Sequence, residues 1–138
     1  MAEGTSGTFE YPDEAGYPDG TGTFTETQRI LVEEVEAGVP LQPGIEFFVV
    51  DNTVERVYEA ISGDTLIGGI TYDRRDDVVT VISTSVYPEF RGQGVATALI
   101  GRVLEMIQQE KLHVRVECPI VTTFIRRHPE YEPLLVRR

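Results

Sequence analysis

From Val95 to Glu110 apolar and small side chains recur every three or four positions, at Val95, Ala98, Leu99, Val103, Met106 and Ile107, with Arg102 the one charge on that stripe. No proline interrupts the run. This spacing predicts an amphipathic helix. Upstream the period shortens to two, as in the alternation Val79, Val81, Ser83, Ser85. Segments 56–61, 65–73 and 78–86 read as strands joined at Ser62-Gly63-Asp64 and at 74–77, which predicts an antiparallel meander. Phe47 to Val50 is a short apolar run before it, punctuated by Asp51-Asn52-Thr53. Beyond the helix, 112–117 alternates apolar with polar residues and predicts a further strand, parallel to the one before the helix. Pro119 stops that strand, and 122–127 predicts a short helix ended by His128-Pro129.

The N-terminal part carries different signals. Thr25 followed by Gln28 forms a capping-box start, Ile30, Leu31 and Val35 give a narrow apolar stripe, and Gly38 with Pro40 ends it. A helix over 26–37 is expected. Its acids Glu33, Glu34 and Glu36 read as a solvated face, with an acidic docking face as the alternative. Residues 1–24 mix glycine, proline, threonine and acids without either apolar period, which predicts a flexible acidic arm. The organisation expected is therefore the arm at 1–24, a helix and linker at 25–44, and one folded domain at 45–138. A mainly antiparallel mixed sheet that closes with a strand-loop-helix-strand crossover is α+β, with a splayed strand pair as the ligand slot.

The loop feeding the long helix carries the candidate chemistry. Tyr87-Pro88 turns the strand, and Arg91-Gly92-Gln93-Gly94-Val95-Ala96-Thr97 leads into the helix start. Helix N-termini present unpaired N–H groups and a positive dipole end, so an anion such as a phosphate can sit there. Glycine lets the backbone approach a ligand, and Arg91 adds a forked donor. An ordinary strand-to-helix turn uses the same residues. A nucleoside-triphosphate loop is excluded by the lack of a Gly-Lys-Ser/Thr ending. A dinucleotide fingerprint is disfavoured by Thr97 in place of the third small residue and by the antiparallel meander that precedes the loop.

These residues resemble the acyl-CoA pyrophosphate loop of the GNAT superfamily of N-acetyltransferases, through Arg91, Gly94 and Ala96 after a Val86-Tyr87-Pro88 strand end. Cys118-Pro119 and the run from Phe124 to Tyr131 are similar to the compact YjdJ-type branch. The resemblance implies a GNAT-like fold and acetyl transfer from acetyl-CoA to a small amine or lysine-type primary amine. An acyl-CoA-binding module without turnover is the alternative. It further implies that the pyrophosphate is held by Arg91, Gly92, Gln93, Gly94, Val95, Ala96 and Thr97, and that the Val86 N–H polarises the thioester carbonyl. In that branch a His-x-Glu often stands where this chain has Ser83 and Ser85, neither of which is a strong base at neutral pH. A water chain, His128 or the thiol of Cys118 is left to activate the amine. Cys118 is the catalytic candidate, as acyl acceptor or base, and a buried small hydrophobe is the alternative.

Charge and composition narrow the field further. The chain has 138 residues and net charge -11, with 13 acids and 2 bases in residues 1–60 against 10 of each in 61–138. Such a balance suits a cationic acceptor and disfavours nucleic acid. One domain, a monomer or weak dimer, is expected at this length. No apolar run reaches membrane-spanning length, no basic leader precedes an apolar centre, and the single cysteine cannot form an internal disulfide. A cytoplasmic location without membrane partner is the expectation. His113 lacks partners at metal-ligand spacing and is expected on the surface, so no metal is anticipated. His128 is expected to cap the short helix, Arg126 and Arg127 to pair with Glu130 or Glu132, and Tyr131 to fill core or donate a proton to the leaving thiolate.

Overall fold

The computed structural model describes residues 25–136; the predicted arm at 1–24 lies outside the described residues, as do Arg137 and Arg138. Helix α1 (Glu26–Ala37) starts at the anticipated capping box, with the Gln28 N–H donating to Thr25 Oγ1 at 3.1 Å and the Thr25 N–H donating to Gln28 Oε1 at 3.0 Å. Gly38 closes it, its N–H donating to the Glu34 and Val35 carbonyls. Strands β1 (Phe48–Asn52), β2 (Val57–Ser62), β3 (Thr65–Arg75) and β4 (Val78–Val86) then form the meander. Helix α2 (Val95–Gln109), strand β5 (His113–Val116) and helix α3 (Pro119–Arg127) complete the crossover. The sheet order is β1-β2-β3-β4-β5, and only β4–β5 is parallel. The fold is α+β, as the alternation pattern requires.

Helix α3 begins three residues earlier than the 122–127 reading. Pro119 has no N–H to lose at the first helical position and its φ is already near the helical value, so one residue ends β5 and opens α3. After the 3-10 segment Pro129–Leu134, the chain returns to β5, where the Val136 N–H donates to the Val114 carbonyl at 2.9 Å.

All three helices touch one another, so they share one face of the sheet. The apolar stripes explain this: Val95, Leu99, Ile100, Val103, Leu104 and Ile107 of α2 are buried with Ile120, Val121 and Phe124 of α3. Helix α1 joins the same core through Leu31 and Val35, which are fully buried, and it packs chiefly on α3. The segment read as a helix and linker is thus packed into the body of the domain.

Two irregularities position the site. Thr71 pairs with Ser83 and Tyr72 with Val81, so Ile82 is an extra residue in β4, a bulge that resets which side chains face the helices. Val79 and Val81 are buried before it, Thr84 and Val86 after it. Pairing of β4 with β5 ends at the same level: its last matched pair is Val81 with Val116, and the Glu117 N–H donates to the Val81 carbonyl at 2.9 Å. Beyond that rung β5 turns into α3 while β4 runs on to Val86, which splits the two strands.

Because Leu31 is fully buried, Leu31→Ala is expected to lower stability by about 2–5 kcal/mol through lost transfer energy and the cavity left behind. Urea unfolding monitored by circular dichroism measures it. A detached helix would show a change within about 0.5 kcal/mol.

Candidate functional site

At the head of α2 the loop adopts left-handed conformations that glycine permits, with φ of 76° at Gly92 and 87° at Gly94. The first helical hydrogen bond runs from the Ala98 N–H to the Gly94 carbonyl at 3.1 Å, and no side chain from the loop caps the helix. Val95 and Ala96 are fully buried and join the core. Arg91 and Gln93 brace the loop: Arg91 Nε donates to the Val86 carbonyl at 2.8 Å, and Gln93 Nε2 donates to the Glu89 carbonyl at 2.7 Å. Arg91 is therefore a strut between loop and strand end as well as a local positive charge. The Thr97 hydroxyl is buried without a hydrogen-bond partner.

The loop's inward donors meet an anion supplied by the chain. The Gly92 N–H donates to Glu34 Oε1 at 2.7 Å and the Gly94 N–H to Glu34 Oε2 at 3.1 Å. Glu34 is only 5% exposed, which corrects its reading as part of a solvated acidic face; Glu33 and Glu36 do face solvent. A signal was present in the sequence, since Glu34 stands three residues after Leu31 and next to Val35, on the apolar stripe itself. The two donors thus accommodate an anionic group, and the Glu34 carboxylate is the one that occupies them.

The split lies beside the loop. Tyr87 donates its N–H to the Ile67 carbonyl across the β3 edge at 3.0 Å, so by strand alternation Val86 turns its N–H and carbonyl to the split side. Its carbonyl is the one Arg91 holds. Across the split, Cys118 Sγ lies 3.4 Å from Thr84 Oγ1 on the helix-covered face. Cys118 is 1% exposed, and burial pushes its thiol above the ordinary value of 9.0, outweighing the Thr84 hydroxyl and the Val121 and Ile120 N–H groups that favour the thiolate. The structure therefore holds Cys118 as a neutral thiol at neutral pH.

The other face of the sheet carries the polar residues. Ser83 Oγ is within 2.6 Å of Thr71 Oγ1, so this serine is committed to its cross-strand partner. Glu117, exposed and one residue before buried Cys118, ends the last rung and lines a groove with Asp73, Arg75, Thr80, Ile82 and Arg115. It is the carboxylate that the strand period places at the split on the uncovered face, and the sequence reading passed over it.

The remaining candidates fall elsewhere. His113 is half exposed, 3.8 Å from Asp77. His128 ends α3 and stacks on Phe124 with ring centroids 4.2 Å apart, 3.7 Å from Glu130. The Glu130 contact expected of Arg126 or Arg127 is thus made by His128. Tyr131 donates to Glu105 at 3.2 Å, and burial together with that carboxylate raises its hydroxyl pKa. Among the described residues no cluster of three or more His, Cys, Asp or Glu is disposed to hold a metal ion, and no helix is long and apolar enough to cross a membrane.

The family model for GCN5-related N-acetyltransferases matches residues 57–134, from β2 through the loop, the split and α3. This chain is a GCN5-related N-acetyltransferase family member. No curated protein matches the sequence. The solution NMR structure of a GCN5-like protein from Staphylococcus aureus is similar in fold at 19% identity, with a TM-score of 0.50, covering 70% of this chain and 93% of that one. Membership makes acyl transfer the general chemistry of the domain, and the match begins well after α1 and its Glu34.

Cys118 is expected to resist iodoacetamide in the native protein at pH 8 and to react once the chain is unfolded in urea. Its raised folded pKa keeps the thiol protonated below the ordinary value, and the stability linked to that neutral form is lost only as pH rises through the folded value. Rapid labelling of the native thiol at pH 8, followed by mass spectrometry, would contradict this.

Proposed function

We propose that the chain is an acetyl-CoA-dependent N-acetyltransferase acting on a small amine or a lysine-type primary amine. The observation that carries this reading is an anion-binding glycine loop beside a split parallel strand pair, within a domain of the GCN5-related family. Acetyl-CoA would bring an activated thioester, whose acyl carbon forms a bond to the amine nitrogen as the carbon–sulfur bond breaks, leaving an amide and CoA.

The chain's residues divide the remaining work. The N–H groups of Gly92 and Gly94, the backbone of Gln93, Val95 and Ala96, and the Thr97 hydroxyl would hold the pyrophosphate, with Arg91 adding charge. The Val86 N–H is the donor for the developing oxyanion, and such a preorganised donor is worth about 3 kcal/mol. Glu117 takes a proton from the acceptor's ammonium group, directly or through water, on the uncovered face, so that the neutral amine attacks the acyl carbon. Cys118, neutral on the covered face, would donate a proton to the departing thiolate rather than attack as a nucleophile. The acceptor approaches a face that holds both acids and arginines.

A second reading has its own support. Ser83 and Ser85 supply no base and Cys118 is protonated, as suits a domain that binds acyl-CoA without turnover. The two readings part on one assay. Transfer from radiolabelled acetyl-CoA to a panel of polyamines and lysine peptides is expected, and Glu117→Gln is expected to lower kcat about a hundredfold. Acetyl-CoA binding with no transfer to any acceptor would favour the binding module, and unchanged kcat in the variant would remove Glu117 from its role. A cytoplasmic, monomeric or weakly dimeric protein without nucleic-acid or membrane partner completes the proposal.

A further inference from the structure

The seat that the proposed function assigns to the CoA pyrophosphate is filled from within the chain. Both oxygens of one carboxylate, Glu34, accept from the Gly92 and Gly94 N–H groups at 2.7 and 3.1 Å. The contact is not local capping, because it joins residues 58 and 60 apart in sequence. It is reinforced by the chain that follows α1. The Gln42 N–H donates to the Gln93 carbonyl at 3.0 Å, and a Cβ built on Gly94 would lie 2.3 Å from the Pro40 carbonyl oxygen. The backbone at 40–42 thus lies directly on the loop.

We infer that α1 and the strap behind it are a built-in lid: Glu34 occupies the pyrophosphate seat, and acyl-CoA binds only when the C-terminal half of α1 moves off the loop. This rests on the acyl-CoA reading of the loop. A pyrophosphate and the Glu34 carboxylate need the same two donors, and two anions placed together in a site with little water repel one another. One must leave. Residues 38–44, which hold Gly38 and Gly44 at positive φ and no helix or strand, are the segment that would absorb the change in backbone angles. Leu31 and Val35 anchor the helix on its buried side, so the closed form is the resting one. The family match starts at residue 57, so α1 and the strap lie outside the matched residues.

The lid lowers apparent affinity by the fraction of molecules that are open. Isothermal titration of acetyl-CoA into the full chain, Glu34→Ala and Glu34→Gln is therefore expected to give binding at least about tenfold tighter in Glu34→Ala than in the wild type, with Glu34→Gln between them. Hydrogen exchange of the wild type at saturating acetyl-CoA is expected to show faster exchange over 34–42 while β3 and β4 stay protected. The melting temperature of Glu34→Ala should rise more on adding acetyl-CoA than that of the wild type.

Equal affinity in all three proteins, with exchange over 34–42 unchanged on binding, would overturn the lid and leave the acyl-CoA reading standing. Binding by none of them at millimolar acetyl-CoA would overturn both. If Glu34→Ala fails to fold, judged by circular dichroism, Glu34→Gln and the wild-type exchange experiment decide the matter on the same criteria.

Discussion

Backbone N–H groups taken away from water must find acceptors, and at the start of α2 the glycine loop turns two of them toward the body of the protein. Leaving such a donor unpaired costs about 1–3 kcal/mol. Glu34 meets both, and it can do so only if α1 lies against the head of α2. That one requirement places the helix, lays residues 40–42 across Gly94, and brings Leu31 and Val35 into contact with α3. The apolar contacts stabilise α1 in general, whereas the carboxylate decides where it sits. The positive end of α2 then offsets the penalty of burying a charge.

The second organising element is the bulge at Ile82. An extra residue in β4 shifts the alternation, so that Thr84 and Val86 face the helices where regular pairing would have turned them away. The parallel ladder to β5 stops at the same level. A split strand pair therefore has different chemistry on its two faces: a dry one with Thr84 and Cys118, and a wet one with Ser83, Glu117 and the arginines of β3 and β5. Burial fixes the protonation of Cys118 on the dry side. The exposed carboxylate of Glu117 is on the wet side, so two adjacent residues, Glu117 and Cys118, sit in opposite environments.

Charge has an additional meaning in this arrangement. All of the net charge of -11 arises in residues 1–60, where acids outnumber bases 13 to 2, and such an excess would ordinarily be read as solubility. Three acids of α1 sit close together in sequence, yet Glu33 and Glu36 face water while Glu34 is buried on two backbone donors. The acidic segment thus carries the anion that the neutral half of the chain is built to bind.

The sequence by itself determined the elements and their order. Periods of two and three to four marked the meander, α2 and α1, the capping box set the start of α1, and the glycine loop marked an anion seat, because each depends on neighbours a few residues apart. The start of α3 was missed by three residues since Pro119 serves a strand end and a helix start alike. Only the tertiary structure decided what fills the seat, where the strands part and that the Cys118 thiol is held neutral by burial. Those outcomes depend on contacts between residues distant in sequence, such as Glu34 with Gly92 and Thr84 with Cys118, and on burial, which no local pattern encodes.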